Sequence, residues 1–558
     1  MATTSPSNLY KEVAEIAKSR RYTSIKAFYK IASISDSTLP KNLVDYPVSA
    51  KLLTPEEVEI THSAAEDILQ KIRDRIWTSF EVTSAFCKAA AIAQELTNCL
   101  TEVLFEEALQ RAKQLDDHLE KTGQTVGPFH GLPISLKDCL PTPPHPSSIG
   151  IAALANKPTT DEATLVTILR SLGAVFYVKT NVPTAMMMME TNNNIFGECR
   201  SPIHKGTSCG GSSGGEGALI ALYASPLGIG TDIGGSVRIP SAFCNLYGLK
   251  PSFGRFPTAG GQSAIPGQEY ILSVNGPMAR EVETLRLYSR AVLSEQVAPW
   301  TLDHKALPIP WRENVIQPQG RKLRIGIVGD HDGLVRAHPP IKRALQMTKK
   351  ALIASGHHVI DWSPTEHTEI VKCLLAGFFD FGGAPIVSLL KAYNEPIFGS
   401  MKPYETVAEF GENIMGPSRM REKTKMRNEL QANYLKRWMS TQIQGGPMDG
   451  IIMASAPWAA PRLGVTQEMF YCGYTGVWNL LDFCSCTFPV TFADKNLDRA
   501  IPASSFAPLS ELDKKVYADY DAKFYDGAPV ALQMVGKRLE EEKVLEMVEI
   551  VANALKKA

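Results

Sequence analysis

Two glycine-rich turns between Gly206 and Ser236 contain the serines best placed for nucleophilic chemistry. The stretch has ten glycines and five serines in 31 residues and encloses a predicted helix at 216–223. Such glycine density beside regular structure indicates a backbone that takes positive φ or approaches a ligand closely. The N–H groups of such turns bind anions or developing oxyanions. Ser212 in the first turn and Ser236 in the second are therefore candidate nucleophiles.

A serine hydroxyl needs a base that removes its proton before it can attack a carbonyl. The eleven histidines stand in sequence contexts that do not favour this role. Lys137 follows Ser135 and Leu136 at the end of a predicted strand, so we expect it at a covered sheet edge. A lysine that burial keeps neutral can replace histidine as the base. From the residues alone, a Ser–Lys hydrolase stays one possibility beside a surface lysine and serines that only shape turns.

Three familiar glycine motifs match this stretch poorly. A P-loop needs Lys and then Ser or Thr after its last glycine, whereas Glu216 follows Gly215. A dinucleotide fingerprint fails because Ile233 occupies the position of its third glycine. A nucleophile elbow matches twice, first at 210–214, but the polar segment SPIHKGTSC precedes it instead of a buried strand.

The elements around these turns predict an α/β fold. A capping box at Thr54–Glu57 opens a helical stretch predicted over 54–122, and a helix over 162–172 is expected to be capped by Thr160-Asp161. Further strands are predicted at 130–138, 174–180, 322–329, 357–362, 449–454 and 528–536, and further helices at 340–355 and 539–556. This alternation predicts a single large domain with a mixed central β-sheet covered by helices on both faces.

Composition and charge exclude several classes of protein. Fifty-eight Lys and Arg balance 58 Asp and Glu, so the formal net charge is +0, and no nucleic-acid partner is expected. No apolar stretch reaches the roughly 18 residues of a transmembrane segment, and the N-terminus does not resemble a secretory signal. Ten cysteines are too sparse for a disulfide scaffold. We therefore expect buried free thiols and a cytoplasmic protein.

The segment GGSSGGEGALIALYASPLGIGTDIGGSVRIPSAFCNLYGLKPSFGR resembles the amidase signature family, and GPFHGLPISLKD resembles its lysine motif. The resemblance extends from about residue 75 to the C-terminal helix. It is strongest to fungal general amidases and acetamidases and includes fatty acid amide hydrolases. It implies an amidase signature domain at 54–558, with the signature core at about 129–260 and an N-terminal arm at 1–53.

The resemblance implies a Ser-Ser-Lys triad. Ser236 matches the nucleophile, Ser212 the bridging serine and Lys137 the general base. The bond between Gly211 and Ser212 is expected to be a cis peptide. This mechanism requires no metal and no organic cofactor.

Other family positions are expected around the triad. The oxyanion hole is assigned to the N–H groups of Ile233, Gly234, Gly235 and Ser236. Residues expected to support the triad or contact substrate are Ser213, Met186, Asp232 and Arg238. Four prolines at 141, 143, 144 and 146 depart from the family pattern and are expected to stiffen the rim of the site.

The predicted function is an amidase that hydrolyses the C–N bond of carboxylic acid amides through an acyl-enzyme on Ser236. Its products are a carboxylate plus ammonia or an amine. The alternatives are an amidotransferase subunit that delivers ammonia, a Ser-dependent esterase and an inactive family member. The expected partner is a small-molecule amide, with a homodimer possible. Aromatic residues favour an acyl group larger than acetyl: Phe378, Phe379, Phe381, Tyr471, Tyr474 and Trp478.

Overall fold

The protein is described by a computed structural model that covers residues 9–31, 34–379, 383–409 and 416–557. Its centre is an eleven-stranded mixed sheet. The strands are β1 (Leu100–Val103), β2 (Pro133–Lys137), β3 (Val175–Thr180), β4 (Leu227–Asp232), β5 (Tyr247–Lys250), β6 (Val274–Ala279), β7 (Arg324–Val328), β8 (His358–Trp362), β9 (Gly450–Ala454), β10 (Ser485–Phe492) and β11 (Pro529–Val535). Their order in the sheet is β1-β3-β2-β4-β6-β5-β10-β11-β9-β7-β8.

Helices pack against this sheet. They are α1 (Leu9–Phe28), α2 (Tyr46–Ser49), α3 (Pro55–His62), α4 (Ala65–Arg73), α5 (Ser79–Thr97), α6 (Phe105–Thr122), α7 (Ala152–Ala155), α8 (Thr164–Ser171), α9 (Gly214–Ala221), α10 (Arg238–Phe243), α11 (Val282–Val292), α12 (Pro339–Ala354), α13 (His367–Phe379), α14 (Gly383–Lys391), α15 (Lys402–Glu409), α16 (Pro417–Met439), α17 (Val465–Glu468), α18 (Gly473–Leu480), α19 (Glu511–Asp519), α20 (Ala522–Tyr525) and α21 (Glu541–Lys557). Short 3₁₀ helices lie at Asp36–Thr38, Thr184–Met186, Pro299–Thr301, Gly399–Met401 and Ala503–Ser505.

The sheet is buried on both faces, which confirms the predicted fold class. Every residue of β2, β3, β6 and β11 is buried, and burial at consecutive positions requires cover on both sides of a pleated strand. The parallel pairs are β2–β3, β2–β4, β7–β8 and β7–β9, and the other pairs are antiparallel.

The structure corrects two local predictions. The helical stretch predicted over 54–122 is interrupted: α3, α4, α5 and α6 are separate, and β1 lies between α5 and α6. The capping box at Thr54 is confirmed, because Thr54 Oγ1 accepts from Glu57 N and the Glu57 carboxylate accepts from Thr54 N. Thr160-Asp161 does not cap the next helix, since α8 begins at Thr164 with Ala163 as its N-cap and no side-chain cap.

Helix α1 lies over the outermost strand of the sheet. Arg20 donates from Nη2 to the Glu102 carboxylate over 2.6 Å, and Arg21 Nη1 donates to Leu100 O over 2.6 Å. Both acceptors belong to β1, so these bonds fasten the N-terminal helix to a sheet edge that would otherwise stay open.

Two general expectations can be compared with the structure. All ten cysteines are buried and free, as predicted. Across the described ranges, no single helix is both long and apolar enough to cross a membrane, and only the bent pair α13 and α14 meets that test by length and composition.

Candidate active site

Parallel pairing of β2 and β4 brings Lys137 and the second glycine turn to one edge of the sheet. Leu136 pairs with Ile229, so Lys137 at the end of β2 lies beside Thr231 near the end of β4. The C-terminal ends of parallel strands meet at one edge, where ligands usually bind in α/β folds. The glycine turn after β4 continues from Asp232 to Ser236.

Lys137 is fully buried and binds two hydroxyls. Its Nζ lies 2.7 Å from Ser212 Oγ and 2.7 Å from Thr231 Oγ1. Thr231 O is a third and longer neighbour at 3.5 Å. The predicted pairing of the lysine with the first glycine turn is therefore present in the structure.

Burial lowers the pKa of Lys137 from 10.5 to about 8, although the Cys139 thiol and Asp232 act in the opposite direction. Removing the ammonium from water disfavours its charged form. About half of Lys137 is thus neutral at pH 8, and a neutral amine can accept a proton.

Thr231 is a neighbour of Lys137 that sequence reasoning missed. Its hydroxyl accepts a hydrogen bond from Nζ, so it helps to orient the amine. The only signal in the sequence was its position beside Asp232 at the end of a strand, which does not reveal the register against β2.

The first glycine turn presents Ser212 to the lysine. The peptide bond between Gly211 and Ser212 is cis, as the family resemblance implied. A Cβ atom at Gly211 would lie 2.6 Å from Met188 O, so only glycine fits there. The turn leads directly into α9, which begins at Gly214.

Ser213 joins the two glycine turns. Its N–H donates to Ser236 O over 3.2 Å, and its hydroxyl lies 3.3 Å from both Thr231 N and Thr231 O. These bonds couple the backbone beside Ser212 to the backbone of Ser236.

Asp232 organises the second turn. Its carboxylate accepts from Gly235 N over 2.8 Å and from Val237 N over 3.1 Å. Arg238 adds two bonds of 3.0 Å in a fully buried ion pair. Burial by itself raises the pKa of Asp232, but the Arg238 guanidinium and its hydrogen bonds outweigh that effect and hold this pKa well below its usual range.

The hydrogen bond from Gly235 N to Asp232 leaves fewer amides for the predicted oxyanion hole. Because the Gly235 N–H already donates to the carboxylate, it is not free to bind a developing oxyanion. The remaining family positions are the amides of Ile233, Gly234 and Ser236.

A cavity of about 30 Å³ lies beside Ser236, which is half-buried. Its apolar lining comes from the segment 186–189, from Ile233 and Ile239, and from Phe378, Phe470 and Cys472. Met186 lines this cavity, and the three following methionines line the same space.

Three aromatic residues expected around the acyl group lie elsewhere. The Tyr471 hydroxyl donates to Asp332, Tyr474 OH donates to Val335 O over 2.8 Å, and Trp478 Nε1 contacts Met453 Sδ. None of them lines the cavity. Phe379 packs on Tyr404 and Phe470, and Phe381 lies outside the described residues.

Glu190 holds the end of the methionine segment against the start of α17. Its carboxylate accepts from Gly464 N over 2.6 Å and from Thr466 Oγ1 over 2.9 Å. Burial raises the pKa of Glu190 to about 7. This link fastens the residue that follows the methionine segment to the chain at 464–466.

Glu216 is a buried acid that contacts β2 and β3. It accepts from Ser135 Oγ on β2 over 2.5 Å and from Thr180 Oγ1 on β3 over 2.8 Å. Burial raises the pKa of Glu216 to about 7, while the nearby Lys137 charge acts against that rise.

The proline-rich segment lies away from the cavity at Ser236. Pro143 and His145 line a separate cavity of about 410 Å³ together with Glu107 and Arg111. Asp138 anchors the following residues, since its carboxylate accepts from Ile149 N over 2.6 Å. None of the four prolines lines the cavity at Ser236, so this cavity gives no support to the expected stiffening of the rim.

Comparison with known proteins agrees with this geometry. The family model described as Amidase matches residues 81–545. An acetamidase of Emericella nidulans is 40% identical over 566 residues, which cover 98% of each chain. The chain belongs to the amidase family. An acetamidase of Aspergillus oryzae is 37% identical over 99% of each chain. A fatty acid amide hydrolase structure superposes with a TM-score of 0.91 at 32% identity, covering 98% of this chain and 96% of that one.

Family membership gives the class of reaction. The protein is an amidase, a hydrolase that acts on amide C–N bonds, and its mixed sheet with surrounding helices is the fold of the family.

Proposed function

We propose that this amidase hydrolyses short aliphatic amides through an acyl-enzyme on Ser236, with Ser212 and Lys137 moving the proton. The observation that carries the proposal is the 2.7 Å contact between Lys137 Nζ and Ser212 Oγ, fully buried beside the cavity that contains Ser236.

The hydrogen bonds around Lys137 suit a base. A neutral amine has two N–H bonds and one lone pair. Thr231 offers its hydroxyl at 2.7 Å and its carbonyl oxygen at 3.5 Å as acceptors for the N–H bonds. The lone pair is then left for the hydroxyl proton of Ser212.

In the first half-reaction, Lys137 accepts the Ser212 proton while Ser212 accepts the proton of Ser236. The Ser236 oxygen attacks the amide carbon and forms a tetrahedral intermediate. Its oxyanion is stabilised by the amides of Ile233, Gly234 and Ser236, and each such donor typically contributes roughly 3 kcal/mol.

The intermediate collapses when the C–N bond breaks. The proton returns through Ser212 to the departing nitrogen, so ammonia or an amine leaves instead of an amide anion. Water then repeats the sequence on the ester of Ser236, which releases the carboxylate and restores the serine.

The size of the cavity supports a short acyl group. The cavity is small, about 30 Å³, and its lining is apolar, so acetyl or propionyl groups suit it better than long chains. Two curated relatives are named acetamidases. The expectation of an acyl group larger than acetyl depended on six aromatic residues, of which Phe378 lines the cavity whereas Tyr471, Tyr474 and Trp478 do not.

The test is a substrate panel of acetamide, propionamide, hexanamide, benzamide and oleamide with native protein and Ser236→Ala. We expect acetamide or propionamide to be the best substrate and the variant to be inactive on all five. Ser289→Ala is the matched control, because Ser289 is buried and only donates to Leu285 O within its helix.

The covalent step is tested by letting the protein react with an activated acetate ester, stopping the reaction and measuring the mass of the intact protein. One acetyl group should appear on the native protein and none on Ser236→Ala. Turnover that survives in Ser236→Ala, or acylation at another residue, would refute the mechanism.

A further inference from the structure

Thr475 reaches the catalytic turn from a distant part of the chain. It lies in the first turn of α18 and is fully buried. Its Oγ1 donates to Gly234 O over 2.6 Å. Gly234 is immediately followed by Gly235, which lies next to Ser236, so this bond acts on the backbone that presents the nucleophile.

The peptide unit between Gly234 and Gly235 is therefore held at both ends. Its carbonyl oxygen accepts from Thr475, and its N–H donates to Asp232 Oδ1 over 2.8 Å. Rotating this peptide about its axis would break both bonds. The N–H groups of Gly234 and Ser236 belong to the peptide units on either side, which start from the Cα atoms that these two bonds hold in place.

The same residues form a closed ring of hydrogen bonds. Arg238 Nη1 donates to Thr475 O over 3.0 Å, and the Arg238 guanidinium also binds Asp232. The ring thus runs from Asp232 through Arg238 and Thr475 to the glycine peptide and back to Asp232.

Two consecutive glycines leave the turn without intrinsic rigidity. Gly235 has φ +134, a conformation that other residues rarely adopt. Such a flexible backbone needs hydrogen bonds from other segments of the chain to hold its N–H groups in one orientation. Oxyanion stabilisation depends on such fixed orientation, because donors that must reorient during the reaction lose much of their effect.

We propose that Thr475 is a positioning residue that sets the orientation of the oxyanion-binding amides through its bond to Gly234 O. The inference rests on the proposed function, in which those amides bind the tetrahedral intermediate. Thr475 touches neither the substrate nor Ser236 in this scheme and acts only through the peptide that it holds.

A simple packing role is the competing explanation. A Cβ atom at Gly235 would lie 2.3 Å from Thr475 Oγ1, so the side chain also fills the space behind the turn. Two substitutions separate the effect of the Thr475 hydroxyl from the effect of the side-chain volume. Thr475→Val keeps the shape and removes the donor, whereas Thr475→Ser keeps the donor and removes a methyl group.

The experiment measures kcat and KM for acetamide in native protein, Thr475→Val and Thr475→Ser. We expect Thr475→Val to lower kcat by about tenfold to 100-fold with KM within about twofold, since slightly misplaced catalytic groups have effects of this size. Thr475→Ser should stay within about threefold of native. The affinity of a small alkylboronic acid, which forms a tetrahedral adduct with serine, should fall in parallel with kcat/KM.

Thr348→Val is the matched control. Thr348 is buried in α12, and its hydroxyl donates to Ala344 O over 2.8 Å, so the substitution removes an equivalent bond away from the site. Its stability should fall while its kcat stays near native. If Thr475→Val does not fold, Thr475→Cys is compared with Thr475→Ser, because a thiol is a weak donor of similar size.

The outcomes separate the explanations. A kcat of Thr475→Val within twofold of native, equal losses in the Val and Ser variants, or equal activity of the Cys and Ser variants would overturn the proposal. Turnover that persists in Ser236→Ala would instead show that the proposed function itself fails, whatever the Thr475 variants do.

Discussion

Lys137 Nζ and Ser212 Oγ lie 2.7 Å apart with both side chains buried. Burial of the lysine lowers its pKa, and the same lowering makes it a base. The protonation of Lys137 therefore affects both the stability of the protein and its activity. The role of Lys137 can be measured by unfolding experiments as well as by kinetics.

The substitution Lys137→Met should abolish most amide hydrolysis. We expect kcat/KM for acetamide to fall by at least about 10²–10⁴-fold, the usual contribution of a general acid–base group. Activated esters should lose less, because their leaving group needs no proton. The control is Lys179→Met, a buried lysine that donates to Pro146 O and Ser147 Oγ. Equal losses for amide and ester would contradict the assignment.

The same variant should change the pH dependence of stability. Native Lys137 has a pKa of about 8, below the 10.5 of an unfolded lysine. The unfolded chain therefore binds the extra proton between these values, and native stability rises with pH across that window. Below pH 8, burying the charged form of Lys137 costs about 3 kcal/mol of unfolding free energy, and this cost is absent in Lys137→Met. Urea unfolding at pH 7 and pH 10.5 should show the advantage of the variant shrinking by roughly that amount; an unchanged difference would exclude the lowered pKa.

Catalysis should follow the neutral form of Lys137. We expect kcat/KM to fall about tenfold per pH unit below pH 8 and to level off above it. Glu216 holds a negative charge that raises the lysine pKa, so Glu216→Gln should move the midpoint to lower pH. Glu395→Gln is the control, since that buried carboxylate binds Ala152 N instead. A midpoint that does not move in Glu216→Gln would count against the electrostatic coupling.

Gly235 should not tolerate a side chain. Its φ of +134 and the 2.3 Å approach of an added Cβ to Thr475 Oγ1 predict that Gly235→Ala loses at least about 2 kcal/mol of unfolding free energy together with activity. Gly261→Ala is the control, because its Cβ would meet nothing closer than Thr258 O at 3.4 Å. Thermal unfolding and acetamide turnover measure both effects, and a stable, active Gly235→Ala would refute this interpretation of the turn.

Phe378 should limit the length of the acyl chain. Its ring lies 3.1 Å from a Cβ built at Gly234 and lines the cavity at Ser236. Phe378→Ala should raise kcat/KM for hexanamide relative to acetamide by about tenfold or more, since pocket methylenes are worth roughly 1–3 kcal/mol each. Phe86→Ala, which removes the same volume from α5, should leave the ratio unchanged. An unaltered ratio in Phe378→Ala would place the limit elsewhere.

The chemistry-bearing residues could be recognised in the sequence because they occupy short continuous segments. Ser212 and Ser236 lie in glycine turns, and Lys137 ends a strand, so local pattern and family resemblance were enough to single them out. Asp232 and Arg238 belong to the same turn and were named for the same reason.

Residues that act from a distance could not be recognised. Thr231 meets Lys137 only through the register of β4 against β2, and Thr475 meets Gly234 only because α18 packs behind the turn. The aromatic residues near 471–478 illustrate the opposite error. Their types suit a substrate pocket, but the structure uses Tyr471, Tyr474 and Trp478 for hydrogen bonds and packing in the core.

The sequence by itself determined the class of fold through its hydrophobic periodicity. Its resemblance to the amidase signature, carried by segments of adjacent residues, indicated the family and the three residues proposed as the triad. Tertiary structure alone decided which amides stay free, how large the cavity is and how far the pKa of Lys137 falls. Each of these depends on burial and on contacts between segments far apart in the chain, and such contacts exist only after the sheet has assembled and the helices have packed against it.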